Sequence, residues 1–171
     1  MTVQAFDHAV LAKAIFEESN RVRLAHGVRA LAPIAALDAA ADEQAAYLAL
    51  ALRSGHDNPL QHERNVAERA ESAGLYDSPF AGANPARARL AENAIMMPAR
   101  RPPGSSESGY TYRTYAAFLV EGWMNSPDHR ASLLNPGFAY LGCAARLGRG
   151  FAAGDYRVFA TQVFFQPLSG P

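Results

Sequence analysis

One apolar run near the end of the chain, Tyr156 to Gln166, constrains the fold more than any other segment. In a strand its side chains would alternate between two faces, and both faces are largely apolar. The first face would carry Val158, Ala160, Gln162 and Phe164, and the second Phe159, Thr161, Val163 and Phe165. A strand that is apolar on both faces has to be covered on both sides. We therefore expect an α+β chain in which helices cover a central antiparallel sheet, a three-layer α/β/α sandwich.

The remaining segments supply the other parts of that sandwich. Apolar spacing and end signals predict helices from Phe6 to about Leu24, from Pro33 to Leu52, from Asn65 to Ala73, from Tyr112 to Met124, and over a short segment that Ser126 caps and Pro127 begins. In the second helix the polar residues 42–44 lie off the apolar stripe. A short strand is expected at Glu92–Met97, and Tyr140–Leu147 forms a hairpin with the last run.

Composition narrows the class of protein. The 171 residues form about one domain's length, so we expect a single domain over residues 1–171. Sixteen basic and sixteen acidic side chains give a net charge of zero, which argues against nucleic acid as the partner. The single cysteine, Cys143, excludes an internal disulfide and a multi-thiolate metal site.

Targeting signals are weak in this sequence. No run reaches the roughly 18 consecutive apolar residues that a transmembrane helix needs. The first residues lack the basic and apolar regions of a secretory signal peptide, so we expect either a cytoplasmic protein or one whose signal has been removed.

Several short motifs occur in an order that resembles a known family. They are Asn20-Arg21, His56, Ala91-Glu92-Asn93, the block from Trp123 to Arg130, Asn135-Pro136-Gly137-Phe138, Leu141-Gly142 and Thr161-Gln162-Val163-Phe164. The chain resembles the CAP superfamily of cysteine-rich secretory, antigen 5 and pathogenesis-related proteins. The likeness runs from about Ile15 to Phe165 and is greatest to the bacterial, disulfide-poor branch, whose members are commonly exported to the periplasm or cell exterior.

The resemblance implies a cavity lined by two histidines and two glutamates, which binds a divalent metal in some members. Position by position, His56, Glu92 and His129 match three of these residues, and Ser126 stands where many members have the second glutamate. The expected cavity residues are therefore His56, Glu92, Ser126 and His129, with His56, His129 and Glu92 as ligands of a divalent metal such as zinc. His62 is the alternative to His56 as the cavity histidine.

Taken without the resemblance, the same residues have simpler explanations. Each histidine alone is typical of a surface or capping residue, and Glu92 of a strand-end carboxylate that orders a loop. Ser126 has no flanking glycines and no base held by a carboxylate, so it is not expected to be a nucleophile.

Two function classes follow from the resemblance. The first is a non-catalytic module that binds a lipid, a glycan or another cell-envelope component, with the loops Asp77–Arg89 and Pro98–Gly109 as candidate binding segments. The second is a metal-dependent hydrolase or peptidase that uses the His56 and His129 cavity. A structural envelope protein with a degenerate site is the default if neither holds.

Overall fold

The computed structural model describes residues 1–59, 65–77, 80, 88–100 and 109–167. These residues form five helices and four strands. In chain order they are α1 (His8–Ala25), β1 (Ala32–Pro33), α2 (Ala35–Ala51), α3 (Val66–Ser72), β2 (Arg89–Pro98), α4 (Tyr112–Met124), α5 (Pro127–Leu133), β3 (Tyr140–Arg149) and β4 (Tyr156–Gln166). Among the helices so described, none combines the length and the apolar character needed to cross a bilayer. His62 and most of the two candidate binding loops lie outside the described residues.

The sheet has the order β1-β3-β4-β2, so β4 lies between two long neighbours. It pairs antiparallel with both β2 and β3. The expected antiparallel core of the sheet is therefore confirmed. The sequence did not predict β1, whose two residues pair in parallel with the start of β3 and make the sheet mixed. A strand of two residues that ends in proline carries too little alternation to be recognised.

Helices cover both faces of the sheet, which confirms the three-layer arrangement. One face of β3 and β4 packs against α1, α4 and α5, whose buried residues include Ile15, Trp123 and Leu133. The opposite face packs against α2 and α3 through Leu37 and Ala70. The buried sheet residues are Leu141, Cys143, Ala145, Val158, Ala160 and Phe164 on the first face, and Ala144, Val163 and Phe165 on the second.

Local signals fix several helix ends. Asp7 caps α1 by accepting a hydrogen bond from the Val10 amide at 3.0 Å, and Gly27, with a φ of 73°, follows the end of that helix. Asn65 and Glu68 form a reciprocal capping box at the start of α3. This box fixes the position of a short helix that contributes directly to the candidate site.

Three local features differ from what the sequence pattern indicates. Pro33 lies in β1, and α2 begins at Ala35 because the chain first pairs with β3. Gln44 is fully buried, since its amide bonds a loop backbone that the helical pattern could not reveal. Ser126 occupies the N-cap position of α5, but its side chain makes no capping hydrogen bond.

Candidate functional site

His56 and Glu92, far apart in sequence, are in direct contact. His56 follows α2, and Glu92 lies on β2, the outermost long strand of the described sheet. His56 Nδ1 donates a hydrogen bond to Glu92 Oε1 at 3.0 Å. The Glu92 side chain is only 3% exposed, whereas the His56 side chain is 56% exposed. The buried carboxylate therefore orients an imidazole whose other nitrogen, Nε2, is left for solvent or a ligand.

Arg69 of α3 occupies the second oxygen of the same carboxylate. Its Nη2 donates to Glu92 Oε2, and its side chain is fully buried. A second donor, Arg69 Nη1, lies 3.4 Å from the His56 carbonyl oxygen. The guanidinium thus neutralises Glu92 and also holds the backbone of His56. A buried charge pair of this kind depends on both partners, because either one alone would be left uncompensated.

His129 completes the exposed part of the site. It lies in the first turn of α5, and its ring centroid is 6.5 Å from that of His56 in an edge-to-face arrangement. Asn93, the neighbour of Glu92 on β2, donates from Nδ2 to the His129 carbonyl oxygen at 3.0 Å. Successive side chains of a strand point to opposite faces. Glu92 therefore holds the ring of His56 on one face of β2, and Asn93 holds the backbone of His129 on the other.

A buried polar chain connects Asn93 to the far side of the core. Asn93 Nδ2 also donates to Gln162 Oε1 at 3.1 Å, and Gln162 lies opposite Asn93 in the pairing of β2 with β4. Gln162 Nε2 donates to Ser19 Oγ on α1, and Ser19 donates to the Ile15 carbonyl oxygen, both at 2.6 Å. These hydrogen bonds tie the backbone of His129 to β4 and α1 in the core.

Gln44 of α2 anchors the loop that carries His56. Its Nε2 donates to the Gly55 carbonyl oxygen at 2.9 Å, directly before His56. Together with the bond from Arg69 to the His56 carbonyl, this contact holds the loop from two helices.

The two imidazoles have opposite electrostatic environments. The hydrogen bond to Glu92 raises the pKa of His56 above its usual value of 6.5, against the opposing effect of burial. Burial lowers the pKa of His129, and the neighbouring His56 lowers it further. The two neighbouring rings therefore differ in pKa, and His56 is the more easily protonated of the two.

The other expected cavity residue contributes less. Ser126 is half-buried at the start of α5, and the structure gives its side chain no bond to His56, Glu92 or His129. His62, the alternative to His56, lies outside the described residues.

The described residues contain no group of three or more His, Cys, Asp or Glu side chains placed to hold a metal ion. At this site the two Glu92 oxygens bond His56 and Arg69. If an ion bound here, His56 through Nε2 and His129 would be its ligands, and Glu92 would bond Nδ1 of His56. Carboxylates commonly hold metal-binding histidines in this way.

Sequence reasoning missed the residues that support the two histidines. Arg69, Gln44 and Ser19 were not singled out, while Asn93 and Gln162 entered only as parts of motifs. One signal was present, since Gln162 is the polar residue between the apolar Val158, Ala160 and Phe164 on one face of the β4 segment. A polar side chain in that position has to find a buried partner.

Comparison with known proteins identifies the family of the chain and three solved structures with a similar fold. A family model described as the cysteine-rich secretory protein family, CAP, matches residues 16–164. An extracellular protein containing an SCP domain from Bacillus anthracis str. Ames is 21% identical, with a TM-score of 0.62 over 93% of this chain and 41% of that chain. An outer surface protein from Borrelia burgdorferi is 16% identical, with a TM-score of 0.59 over 92% and 93% of the two chains.

A third similar structure is a cysteine-rich secretory protein from Staphylococcus aureus subsp. aureus Mu50, 18% identical with a TM-score of 0.52 over 95% of this chain and 40% of that one. This chain thus spans 41% and 40% of the Bacillus and Staphylococcus chains. No curated protein matches it significantly. At these identities the structural likeness shows the fold alone.

Proposed function

We propose that this chain, which belongs to the cysteine-rich secretory protein (CAP) family, is a non-catalytic module that binds a cell-envelope glycan at the cleft of His56 and His129. The observation that carries the proposal is the state of Glu92. Both of its oxygens are engaged by protein groups, so the carboxylate positions His56 instead of facing a substrate.

The chemistry of the two rings suits a ligand rich in hydroxyl groups. His56 presents a largely exposed ring with a raised pKa, and the neutral His129 ring beside it offers both a donor and an acceptor nitrogen. Sugar hydroxyls can satisfy donors and acceptors at once, and their C–H faces can pack on an imidazole. A fixed pair of rings 6.5 Å apart binds such a ligand without large rearrangement.

The engagement of Glu92 also argues against this carboxylate as the base of a hydrolytic reaction. A hydrolytic mechanism needs a group free to accept a proton from water, within hydrogen-bond reach of the reacting atoms. Glu92 would have to leave both Arg69 and His56 to do so. Ser126, where many family members carry a second glutamate, cannot supply a carboxylate.

The cellular setting is part of the proposal. Two of the similar structures are an extracellular protein and an outer surface protein. We place this domain outside the cytoplasmic membrane, where envelope glycans are accessible.

Isothermal titration calorimetry with soluble peptidoglycan fragments tests the proposal. Wild type should bind, and His56→Asn and His129→Asn should each weaken binding by about tenfold, the effect of losing one good ligand hydrogen bond. His26→Asn removes an exposed histidine far from the cleft and should bind like wild type. Equal binding by all four proteins would contradict the site, and binding of a fatty acid or sterol in its place would contradict the ligand class.

A second candidate function, divalent metal binding, is favoured by the contact of His56 Nδ1 with Glu92. His56 through Nε2 and His129 would hold the ion, and Glu92 would orient the first ring. A bound metal would supply a Lewis acid that attracts a ligand oxygen.

Zinc titration of metal-free protein tests this candidate. Because protons compete for the imidazoles, affinity should fall on acidification from about pH 7.5 to about pH 5.5, and His129→Asn should lower it further. Affinity that is unchanged by either treatment would remove the two histidines from the ligand set.

A further inference from the structure

A groove that shares no residue with the His56 cleft lies between α1, α2 and β3. Its main part has a volume of about 520 Å³. It is lined by Ala9, Ala12, Lys13, Phe16, Glu17, Pro33, Asp38 and Cys143. A second part of about 340 Å³ shares four of these residues and continues the groove toward His8 and Arg146. Together they fall in the size range of small-molecule sites, about 300–1,000 Å³.

The close approach of α2 to β3 builds the polar end of the groove. Gly142 makes this approach possible, since a Cβ at that position would overlap the backbone at Leu37 and Asp38. One consequence is that Asp38 Oδ1 accepts a hydrogen bond from the Cys143 amide at 2.9 Å. Asp38 therefore has a fixed position in the lining.

Asp38 differs from the other charged groups of the groove. Lys13 and Glu17 lie 3.8 Å apart at an exposed rim, and Arg146 forms a two-point ion pair with Asp42. Within the described part of the chain, Asp38 accepts the Cys143 amide bond and has no cation within ion-pair distance. Asp38 is itself exposed, and an apolar lining beside a carboxylate without a counter-ion favours an amphipathic cation over an anion.

We propose that this groove binds an amphipathic amine, an alkyl chain that ends in one ammonium group. The alkyl chain would lie on Ala9, Ala12 and Phe16, and the ammonium group would contact Asp38. A charge-assisted hydrogen bond in a partly desolvated site is stronger than one between neutral groups. A fatty acid of the same length would place its carboxylate against Asp38 and be repelled.

Calorimetric titration of the intact chain near neutral pH with octylamine, octanol and octanoate tests the proposal. Octylamine should bind at least about tenfold more tightly than octanol, and octanoate should bind most weakly. Octanoate affinity equal to that of octylamine, or no octylamine binding, would overturn the proposal.

Asp38→Asn isolates the charge, because the asparagine oxygen can still accept the Cys143 amide bond. This variant should lose about tenfold in octylamine affinity and keep its affinity for octanol. Glu121→Gln is the control, since it removes an exposed carboxylate of α4 that lines neither part of the groove, and it should bind octylamine like wild type. Unchanged octylamine binding by folded Asp38→Asn would refute the contact. If circular dichroism shows that this variant does not fold, the three wild-type titrations decide.

Discussion

Replacing Arg69 by methionine tests whether the buried ion pair organises the candidate site. The substitution keeps most of the apolar volume of the side chain and removes the cation. It leaves Glu92, whose side chain is 3% exposed, with only the bond from His56. Removing one partner of a buried pair costs about 3–5 kcal/mol. Because the His56 bond remains, we expect the lower end of that range, a loss of about 3 kcal/mol.

Urea unfolding near pH 8, monitored by circular dichroism, measures this loss. Arg21→Met provides a matched control, because Arg21 pairs with Glu18 at 2.6 Å but is 62% exposed. The Glu18 side chain is 10% exposed, but the Arg21 guanidinium lies in solvent, so this variant should lose about 1 kcal/mol or less.

A double-mutant cycle separates the charge pair from packing. Arg69→Met combined with Glu92→Met removes both charges, and the double variant should be more stable than the sum of the single losses predicts, by about 2 kcal/mol. If Arg69→Met costs no more than Arg21→Met, or if the two single losses simply add, the ion pair does not organise the site.

Three other predictions concern the same fold. The folded-state pKa of His56 is raised above 6.5, so its stabilising contribution is complete below about pH 6.5 and lost as pH rises through the folded-state pKa. His56→Asn should therefore lower the free energy of unfolding more at about pH 5.5 than at about pH 8.5, and equal losses would contradict this. Gly142→Ala should lower the free energy of unfolding by about 3 kcal/mol or more, because its Cβ would meet the α2 backbone. Near-wild-type stability in urea would refute the close approach of α2 to β3. Burial raises the pKa of the Cys143 thiol, so a disulfide reagent should label it only after unfolding, and rapid labelling of native protein would be inconsistent with the core.

Much of the fold could be predicted from local patterns. The two apolar faces of β4 require helices on both sides, and the structure has them. The segment from Tyr112 to Met124 carries a regular apolar stripe and forms a helix with those same bounds. Both features depend on periodicity within one segment, which a sequence displays directly.

The site could be predicted only in part, because its support comes from pairs that are distant in sequence. His56 and Glu92 were expected to meet through the family resemblance, and they do. Arg69 binds the same carboxylate from another helix, and no spacing indicates that contact. The buried Arg69 cation changes the chemistry expected of Glu92. It neutralises the carboxylate, which then positions His56.

The loop that carries His56 is also held by a contact that the sequence does not indicate. A polar residue beside an apolar helical stripe is normally exposed, and Gln44 lies off the stripe of α2 but is buried. Its burial follows from a bond to the Gly55 carbonyl oxygen, which only the folded chain brings within reach.

The most direct test of the binding cleft is NMR of the histidine imidazoles during titration with soluble peptidoglycan fragments. The ring signals of His56 and His129 should shift together and saturably, those of His26 should stay in place, and the fragments should be recovered uncleaved. Saturable binding that leaves both cleft histidines unshifted, or the appearance of cleavage products, would contradict a non-catalytic glycan-binding cleft.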